Sequence, residues 1–496
     1  MIDEHLTEQQ TIRRQKAADL RQKGIDPFGS SFKRTHHTID IINNYEQYSK
    51  EELAEKDVKV TIAGRIVLKR GQGKAGFMHL QDRDGKIQVY VRLNDIGEEA
   101  YDIYRHADLG DIVGVEGTLF RTKTDELTVY AKVFTHLTKA LRPLPDKYHG
   151  LKDVEEARRR RYVDLIVNDD ARRVAIMRSK IIREIQKYFD QKGFIEVETP
   201  VLQAVLGGAS ARPFVTYHNA LDMDFYLRIA TELPLKKLLV GGLEAVYEIG
   251  RLFRNEGISH KHNPEFTTIE AYLAYSDMEG MMDLVEDSLS TVTYNVLGTY
   301  DIEFKDMKIN MKKPWNRVHM VDAIKNETDI NFFEDLSLED ATKLAKEHEI
   351  DVKKHFRVGH IIEAFFDKYV EPKIVQPTMI YGHPTDISPL AKKNKDDERF
   401  TDRFELFIAG AEYANAFSEL NDPIDQRERF EAQLKEKELG NDEAAEMDID
   451  FLEALEYGMP PAGGIGIGID RFIMLLTNTP NIRDVILFPH ARQRND

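Results

Sequence analysis

Apolar and polar residues alternate over short stretches between Val58 and Leu141. Such a period of two is typical of strands with one buried face. Glycines and Asp-Gly pairs, as at Asp84–Gly85, separate these stretches at hairpin spacing. Five such strands in so short a segment predict a small closed β-barrel. The predicted strands are Val58–Leu68, Phe77–Gln81, Ile87–Val91, Ile112–Phe120 and Leu127–Val133.

A helix-like stretch, Glu98–His106, falls between the third and fourth predicted strands. That placement fits an oligonucleotide-binding (OB) barrel. Farther along, Val174–Gln191 has apolar residues at helical spacing and precedes several strand-like runs. These runs are Glu196–Thr199, Phe225–Ile229, Ala245–Ile249, Phe266–Tyr272, Arg403–Ala411 and Gly463–Ile469.

These patterns predict a multidomain α+β protein. We expect a helical N-terminal extension at 1–57, the OB barrel at 58–145, a linker at 146–160 and a sheet domain at 161–496. A charged, mostly helical insertion is expected at about 305–376. Within the extension, Leu6–Lys23 reads as a partly basic helix ended by Gly24, and it fits a solvated surface helix equally well.

Composition narrows the possible functions. The absence of cysteine excludes disulfides, thiolate nucleophiles and cysteine-ligated metals. The net charge is −17, but residues 1–150 hold 24 Lys and Arg against 23 Asp and Glu, so a polyanion would bind the first third. No apolar stretch approaches the roughly 20 residues that span a bilayer, and Met1–Gln10 is too polar for a signal peptide. We therefore expect a cytoplasmic enzyme without a membrane partner.

Three segments carry candidate chemistry, whereas no P-loop, dinucleotide fingerprint, His-Glu-x-x-His helix or Gly-x-Ser-x-Gly elbow is present. Gly193–Pro200, taken alone, is an ordinary helix–strand junction. The alternating glycines of Gly463–Leu476 let a ligand approach, but they fit a tightly packed strand–helix unit as well. The third segment is Tyr247–Gly257 with the following His262–Tyr272.

The segment around Arg254 is the most specific of the three. Arg254 and Glu256 are two apart on a predicted extended strand and would share one face, with His262 and Phe266 brought near by the returning strand. An arginine neutralises phosphate, a carboxylate accepts from an exocyclic amine and a phenyl ring stacks on a base. We interpret this combination as a nucleoside triphosphate site, in preference to a surface hairpin with ion pairs.

Taken in chain order, the segments Gly193–Pro200, Tyr247–Tyr272 and Gly463–Leu476 resemble motifs 1, 2 and 3 of the class II aminoacyl-tRNA synthetases. With the barrel they resemble the subgroup that charges aspartate, asparagine or lysine. The similarity to bacterial lysyl-tRNA synthetases runs nearly end to end, and it includes Ala140–Lys147, Gly207–Phe214 and Phe417–Asp422. It implies a mixed, mostly antiparallel sheet flanked by helices, activation of L-lysine by ATP, transfer to tRNA(Lys), and a homodimer with motif 1 at its interface.

The resemblance also implies roles for single residues. Arg254 would contact the α-phosphate and the lysine carboxylate, and Arg254 and Arg471 are the implied catalytic residues. The implied ATP site consists of Arg254, Glu256 at the adenine amine, Phe266 and Arg471 on the two faces of adenine, His262 at the outer phosphates, Asn263 and Glu405.

Mg²⁺ is the implied cofactor, held by Glu405 and Glu412. Their odd spacing would place them on opposite faces of an ideal strand, so we expect a bulge or twist between them.

The lysine family holds the substrate ammonium between carboxylates, because an unpaired buried charge is costly. The implied lysine site consists of Glu232 and Glu419 beside the ammonium, Tyr272, Glu270 at the α-amino group, Asn415 and Arg254 at the carboxylate, and Gly208. Any one of these carboxylates could instead be solvated or paired locally.

Phe77, Gln88 and Arg65 on the predicted barrel are the candidate anticodon contacts, with Phe77 and Gln88 reading the central U by resemblance. Phe77 fits barrel core as an alternative.

The sequence disfavours three other functions. A truncated paralogue that lysylates a protein would lack the barrel, an RNA-binding module would not need the intact motif residues, and aspartate or asparagine ligation is disfavoured by Glu232 and Glu419.

Overall fold

The computed structural model describes residues 6–71, 73–145, 151, 153–209, 211–441 and 446–491. The chain divides into two compact units, Met1–Lys152 and Asp153–Asp496. No helix in the described ranges is both long and apolar enough to cross a membrane. Residues 146–150 and 152 of the expected linker lie outside the described residues, as does Ser210.

The first unit contains five strands and five helices among its described residues. The strands are β1 (Lys59–Arg70), β2 (Ala75–Gln81), β3 (Lys86–Arg92), β4 (Ile112–Arg121) and β5 (Leu127–Thr138), and the helices are α1 (Glu8–Gln22), α2 (Thr38–Tyr45), α3 (Lys50–Lys56), α4 (Leu93–Ile96) and α5 (Glu98–His106). The strands close into a barrel in the order β1-β2-β3-β5-β4, with only β3 and β5 parallel. This topology confirms the predicted OB fold.

Helix α1 is tied to the barrel rather than solvated on all sides. The buried Arg13 donates hydrogen bonds to the backbone oxygens of Leu109 and Ala140, at 3.1 and 2.9 Å. Lys16 pairs with Asp108 at 2.5 Å. Basic residues of this helix therefore satisfy groups inside the first unit.

The second unit is built on one large sheet. Its strands are β6 (Ile195–Glu196), β7 (Leu202–Gln203), β8 (Val215–His218), β9 (Met223–Leu227), β10 (Ala245–Phe253), β11 (Glu265–Ala274), β12 (Asp301–Phe304), β13 (Met307–Asn310), β14 (Asn316–His319), β15 (Thr378–Tyr381), β16 (Arg403–Ile408), β17 (Ala411–Ser418) and β18 (Ala462–Gly468). Eight of them follow the order β14-β15-β16-β17-β18-β11-β10-β6, antiparallel except at the two ends. The predicted mixed, mostly antiparallel sheet is thereby confirmed.

Helices flank this sheet. They are α6 (Val154–Arg159), α7 (Arg161–Val167), α8 (Asp169–Gln191), α9 (Glu232–Val240), α10 (Met278–Leu297), α11 (Met320–Thr328), α12 (Leu338–Glu347), α13 (Val358–Tyr369), α14 (Pro423–Glu438), α15 (Ile449–Glu456), α16 (Ile469–Thr477) and α17 (Ile482–Val485). Helices α8, α10 and α16 pack on one sheet face through Ile181, Met281 and Phe472, which share a core with Ile269 and Ile465 of the sheet. Alternate side chains of the same strands are therefore left for the opposite face.

The predicted insertion at 305–376 is mostly but not wholly helical. Helices α11, α12 and α13 share a core through Ile324, Ala341 and Phe365. Strand β14 of this segment pairs in parallel with β15 and forms the end of the large sheet. A four-residue strand has too few positions to show an alternation, so the sequence pattern did not reveal it.

The expected linker also extended too far. Residues 153–160 belong to the second unit. Arg158 of α6 is buried and pairs with Asp484, its Nε lying 2.8 Å from a carboxylate oxygen. A side chain that is held in this way anchors the helix to its own unit.

Candidate active site

A cavity of about 710 Å³ opens in the second unit beside β10, β11, β16, β17 and β18. Every residue predicted for ATP, lysine or metal binding lines it, except Glu419, which is buried directly behind it. The predicted lining residues are Gly208, Glu232, Arg254, Glu256, His262, Asn263, Phe266, Glu270, Tyr272, Glu405, Glu412, Asn415 and Arg471.

Arg254 and Glu256 lie in the loop after β10, not on the strand as predicted, because β10 ends at Phe253. The amide of Arg254 still donates to the backbone oxygen of Pro264 at 2.8 Å, which keeps the two sides of the loop together. The Arg254 guanidinium lies 5.2 Å from the centre of the Phe266 ring. Its Nε is buried and has no hydrogen-bond partner among the described residues, so a donor is available for a ligand.

The loop between β10 and β11 also carries His262 and Asn263. His262 Nδ1 lies 2.9 Å from Ser259 Oγ, and burial together with the nearby Arg471 lowers the pKa of His262. Asn263 is buried and donates to the backbone oxygen of Glu265 at 2.6 Å. Both side chains line the cavity, and Asn263 also shapes the loop through this bond.

Asp470 and Arg471 begin helix α16, where β18 ends. The buried Asp470 accepts a hydrogen bond from the amide of Thr267 at 2.7 Å and pairs with Arg178 of α8. Arg471 donates from Nη1 to the backbone oxygen of Glu412 at 2.6 Å. No role was predicted for Asp470, although its place beside Arg471 was the available signal.

Glu405 and Glu412 lie on the two strands of a hairpin, β16 and β17, and not along one strand. Ala409 and Gly410 form its turn with positive φ of 53° and 67°, as two-residue hairpin loops require. Tyr413 has no partner in the ladder and forms a bulge, so Glu412 pairs with Phe407 and Glu405 with Asn415. This irregularity, of the kind we expected, brings both carboxylates to the cavity side of the hairpin.

Further acidic side chains surround these two carboxylates. Burial raises the pKa of Glu363 and of Asp367 to about 7, and Glu405 adds to the rise in both. Burial with nearby Glu412 and Glu405 also raises the pKa of Glu371. Neighbouring carboxylates that disfavour each other's ionised form are suited to binding a hard divalent cation, because such cations prefer oxygen ligands.

The amino-acid end of the cavity holds Glu270 and Tyr272. Glu270 Oε1 accepts from the amide of Thr231 at 3.1 Å, and the Tyr272 hydroxyl donates to Glu270 Oε2 at 3.2 Å. Burial raises the pKa of Glu270 to about 7, with Glu232 adding to the rise. A nearby cation would favour the ionised form of Glu270.

Glu232 and Glu419 meet at a cation that we did not predict. Lys236 Nζ lies 2.5 Å from Glu232 Oε1 and also pairs with the Glu419 carboxylate. Lys236 has no exposed surface and Glu419 is only 1% exposed. The four-residue spacing of Glu232 and Lys236 was the signal in the sequence, but such pairs usually lie on helix surfaces.

Close packing holds this end of the cavity in shape. A Cβ at Gly464 would collide with Glu419 Oε1 and with the Tyr272 ring. Gly208 has a φ of +87°, and a Cβ there would lie 3.1 Å from the Cβ of Ala230. Asn415 Oδ1 accepts from Arg403 Nε at 2.9 Å, and the same guanidinium pairs with Glu405 at 2.5 Å.

The first unit presents an aromatic surface formed by Phe77, Tyr90, Phe120 and Tyr130. The ring centres of Phe77 and Tyr90 are 4.8 Å apart, and Tyr90 stacks on Tyr130 at 5.5 Å. Phe77 is half-buried while its neighbour Met78 points into the barrel core. Phe77 is therefore on the barrel's outer side, not in its core.

The two polar residues predicted beside Phe77 have other contacts. Gln88 is buried, and it accepts from Arg70 at 2.8 Å and donates to Thr128 at 3.0 Å. Arg65 donates to the backbone oxygen of Gly110 at 2.7 Å. Arg70, whose guanidinium is 5.6 Å from the Phe77 ring centre, takes the place we expected for Arg65.

The family comparison agrees with this geometry. Residues 153–492 match the model of the class II tRNA synthetases (D, K and N), and residues 60–137 match that of the OB-fold nucleic acid binding domain. The chain therefore belongs to the class II tRNA synthetases of the D, K and N group.

Its curated relatives are more specific. Proteins named "Lysine--tRNA ligase" from Bacillus thuringiensis (strain Al Hakam), Bacillus cereus (strain AH820) and Bacillus anthracis are each 59% identical to it over 496 residues. Each match covers 100% of this chain and 99% of the relative.

The packing at Gly464 leads to a prediction about stability. Gly464→Ala should lower the free energy of unfolding of the second unit by about 1–3 kcal/mol, because the new methyl group collides with Glu419 and Tyr272. Gly466→Ala is the matched control, since a Cβ there lies 3.7 Å from the nearest atom, Glu270 Cγ. Urea unfolding followed by the fluorescence of the chain's one tryptophan, the buried Trp315, measures both variants. Equal stabilities would contradict the predicted collision.

Proposed function

We propose that this protein is a cytoplasmic enzyme that activates L-lysine with ATP and transfers it to tRNA(Lys). The observation that carries the proposal is the convergence of three buried carboxylates, Glu232, Glu270 and Glu419, at one end of the cavity. Such a site suits a substrate with two ammonium groups and repels aspartate. The names of the full-length relatives agree with this choice of amino acid.

ATP would occupy the end of the cavity that carries Arg254. We assign Phe266 and Arg471 to the two faces of adenine and Glu256 to its exocyclic amine. Arg254 would lie against the α-phosphate, and His262 near the outer phosphates, with Asn263 holding the loop. The buried, unpartnered Nε of Arg254 supports a ligand at this place.

The first reaction forms lysyl-adenylate. A carboxylate oxygen of lysine attacks the α-phosphorus, the bond to the bridging oxygen breaks, and pyrophosphate leaves. The nucleophile is already an anion, so no general base is needed. Positioning and charge neutralisation by Arg254 and Arg471 supply the catalysis. A ribose hydroxyl of the terminal tRNA adenosine then attacks the lysyl carbonyl carbon, and AMP leaves.

The lysine substrate would lie with its α-amino group at Glu270 and its side-chain ammonium between Glu232 and Glu419, beside Tyr272. Asn415 and Arg254 would contact its carboxylate, and Gly208 would leave room for the backbone. The unpaired Oε1 of Glu419, which faces Gly464 and Tyr272, supports this orientation.

Glu405 and Glu412 would hold Mg²⁺ in this arrangement. When bound, the ion neutralises phosphate charge and favours departure of pyrophosphate. The acidic residues around the two carboxylates support this assignment, because Glu405 and Glu412 raise the pKa values of Asp367 and Glu371.

The aromatic surface of the barrel would receive the anticodon. Phe77 and Tyr90 offer rings for a base, Arg70 lies over Phe77, and Gln88 holds Arg70 by a hydrogen bond. Base stacking on exposed rings is how OB folds bind single strands. Arg65 would be a further RNA contact, although its guanidinium donates to the backbone oxygen of Gly110.

A homodimer would bury the apolar residues that the motif 1 region exposes. Ile195, Leu202, Val215 and Leu221 are each more than 40% exposed. Exposed apolar side chains mark an interaction surface where they form one patch, and we propose such a patch here. Sedimentation of the purified protein tests this assembly, and a monomer at micromolar concentration would rule it out.

Pyrophosphate exchange into ATP tests the amino-acid assignment. We expect exchange with lysine alone among the amino acids, in the presence of Mg²⁺ and without tRNA, because only lysine satisfies the buried carboxylates. Exchange with aspartate or asparagine instead would leave the family intact and overturn the specificity. No exchange with any amino acid would favour an RNA-binding module.

The metal assignment predicts the effect of Glu405→Gln. Loss of one anionic ligand should reduce the exchange rate by about 10²-fold and raise the Mg²⁺ concentration needed for half-maximal rate. Glu398→Gln removes an exposed carboxylate just before β16 and should leave both values unchanged. An unaltered Mg²⁺ dependence in the Glu405 variant would exclude it as a ligand.

The anticodon assignment predicts the effect of Phe77→Ala. Loss of one stacking ring, worth about 1–3 kcal/mol, should raise the KM for tRNA about 10- to 100-fold in aminoacylation. Phe28→Ala, which removes an exposed ring elsewhere in the first unit, is the control. If the two variants had the same KM for tRNA, the aromatic surface would not be the anticodon site.

A further inference from the structure

Lys236 occupies an unusual position for a lysine. It lies on α9, one turn after Glu232, and none of its surface is exposed. Its Nζ touches Glu232 Oε1 at 2.5 Å and pairs with the Glu419 carboxylate. The rings of Phe417 and Phe451 lie 5.3 and 6.0 Å from it. A charge buried among rings is stable only through its partners, so Lys236 depends on these two carboxylates.

Lys236 contacts only part of the Glu419 carboxylate. Oε2 forms the ion pair with Lys236, whereas Oε1 points toward Gly464 and Tyr272. Neither oxygen has a well-aligned hydrogen-bond partner in the described part of the chain. A buried carboxylate oxygen without a partner is costly. The pair therefore leaves one oxygen turned toward the proposed substrate position.

The buried charges at this end of the cavity match lysine in number. Glu232, Glu270 and Glu419 provide three carboxyl groups, and Lys236 provides one resident cation. When all three carboxyl groups are ionised, two negative charges remain uncompensated. Lysine brings two ammonium groups to the cavity, and its own carboxylate goes to Arg254 in the arrangement proposed above.

We propose that Lys236 is a positioning and specificity-determining residue of the amino-acid site, a resident cation that keeps Glu419 ionised and directs one of its oxygens to the substrate ammonium. This inference rests on the proposed lysine activation and assigns to that site a residue that does not itself touch the reacting atoms.

The electrostatics agree with this role. Burial raises the pKa of Glu419, Glu232 and Glu270 add to the rise, and Lys236 is the cation that opposes it. The groups that face Glu419 are Lys236 and Glu232 from α9 and Glu270 and Tyr272 from β11. Gly464 of β18, which lies beside Glu419, and Phe451 of α15, which lies beside Lys236, carry no charge.

Removal of Lys236 should therefore leave Glu419 protonated up to a higher pH. A protonated carboxyl group pairs poorly with an ammonium, so lysine binding should weaken at neutral pH and recover as the pH rises. The substrate ammonium, with an ordinary pKa of about 10.4, stays charged up to pH 9.

The test is pyrophosphate exchange by full-length Lys236→Met from about pH 6.5 to 9. Met keeps the length of the side chain without its charge. We expect the KM for lysine at pH 7 to rise at least about tenfold, equivalent to about 1.4 kcal/mol. The KM for ATP should change less than about twofold, and the KM for lysine should fall again toward pH 9. Lys237→Met, on the same helix but paired at the surface with Asp450, is the control and should behave as wild type.

Discrimination against norleucine, which is lysine without its side-chain ammonium, gives a second readout. An ionised Glu419 excludes norleucine because its Oε1 oxygen would gain no cation, so the ratio of kcat/KM for lysine to that for norleucine should fall in Lys236→Met. An unchanged KM and pH profile, or equal pH-independent losses for lysine and ATP, would overturn the proposal.

Lys236→Arg keeps the proposal testable if the Met variant folds poorly. Arginine retains the charge, so its lysine KM should show the wild-type pH dependence. A pH shift in the Arg variant would overturn the role of the charge. Failure of the proposed function is distinct, because wild-type protein would then show no lysine-dependent exchange.

Discussion

The carboxylate of Asp470 is the interaction on which the geometry of the catalytic cavity depends most. It accepts from the amide of Thr267 on β11 and pairs with Arg178 of α8, so it joins three elements at one buried charge. Thr267 follows Phe266 and Asp470 precedes Arg471. The contact therefore sets the separation of the two side chains assigned to adenine. A buried carboxylate that lost either partner would be strongly destabilising, which keeps this separation constant.

Charge balance is the second constraint on the cavity. Its walls carry carboxylates at both ends. Glu405 is held by Arg403 and Glu419 by Lys236, while Glu270 accepts from the amide of Thr231. Arg403 joins Glu405 to Asn415 and so connects the hairpin to the amino-acid end. The chain itself thus supplies much of the counter-charge that orients these carboxylates.

The sequence predicted those helices and strands that are long enough to show a period in their apolar residues. Alternation revealed the barrel strands, and the stretch Glu98–His106 was found as α5 with the same bounds. Strands β6 and β14 were missed or misjudged because two to four residues show no period, and they form only by pairing within the sheet. Helix α6 was taken for linker because its attachment, Arg158 with Asp484, joins residues more than three hundred positions apart.

The candidate site was predictable where residues form a contiguous motif, as with Arg254, Glu256 and Arg471. It was not predictable where burial decides the role. Glu232 and Lys236 have the spacing of a surface ion pair, and nothing local marks Lys236 as inaccessible. For the same reason Gln88 was assigned to RNA, although folding turns its amide to Thr128 and Arg70.

The bulge at Tyr413 constrains how this hairpin can change in length during evolution. Tyr413 and Ala414 are consecutive, yet both pack into the main core, and this extra residue brings Glu412 to the side of Glu405. If the same residues formed a regular ladder without the bulge, alternation would direct the Glu412 carboxylate into the apolar core. Loss of one residue from this stretch is therefore compatible with the position of Glu412 only if the bulge is lost with it, and gain of one residue only if a further residue is bulged out.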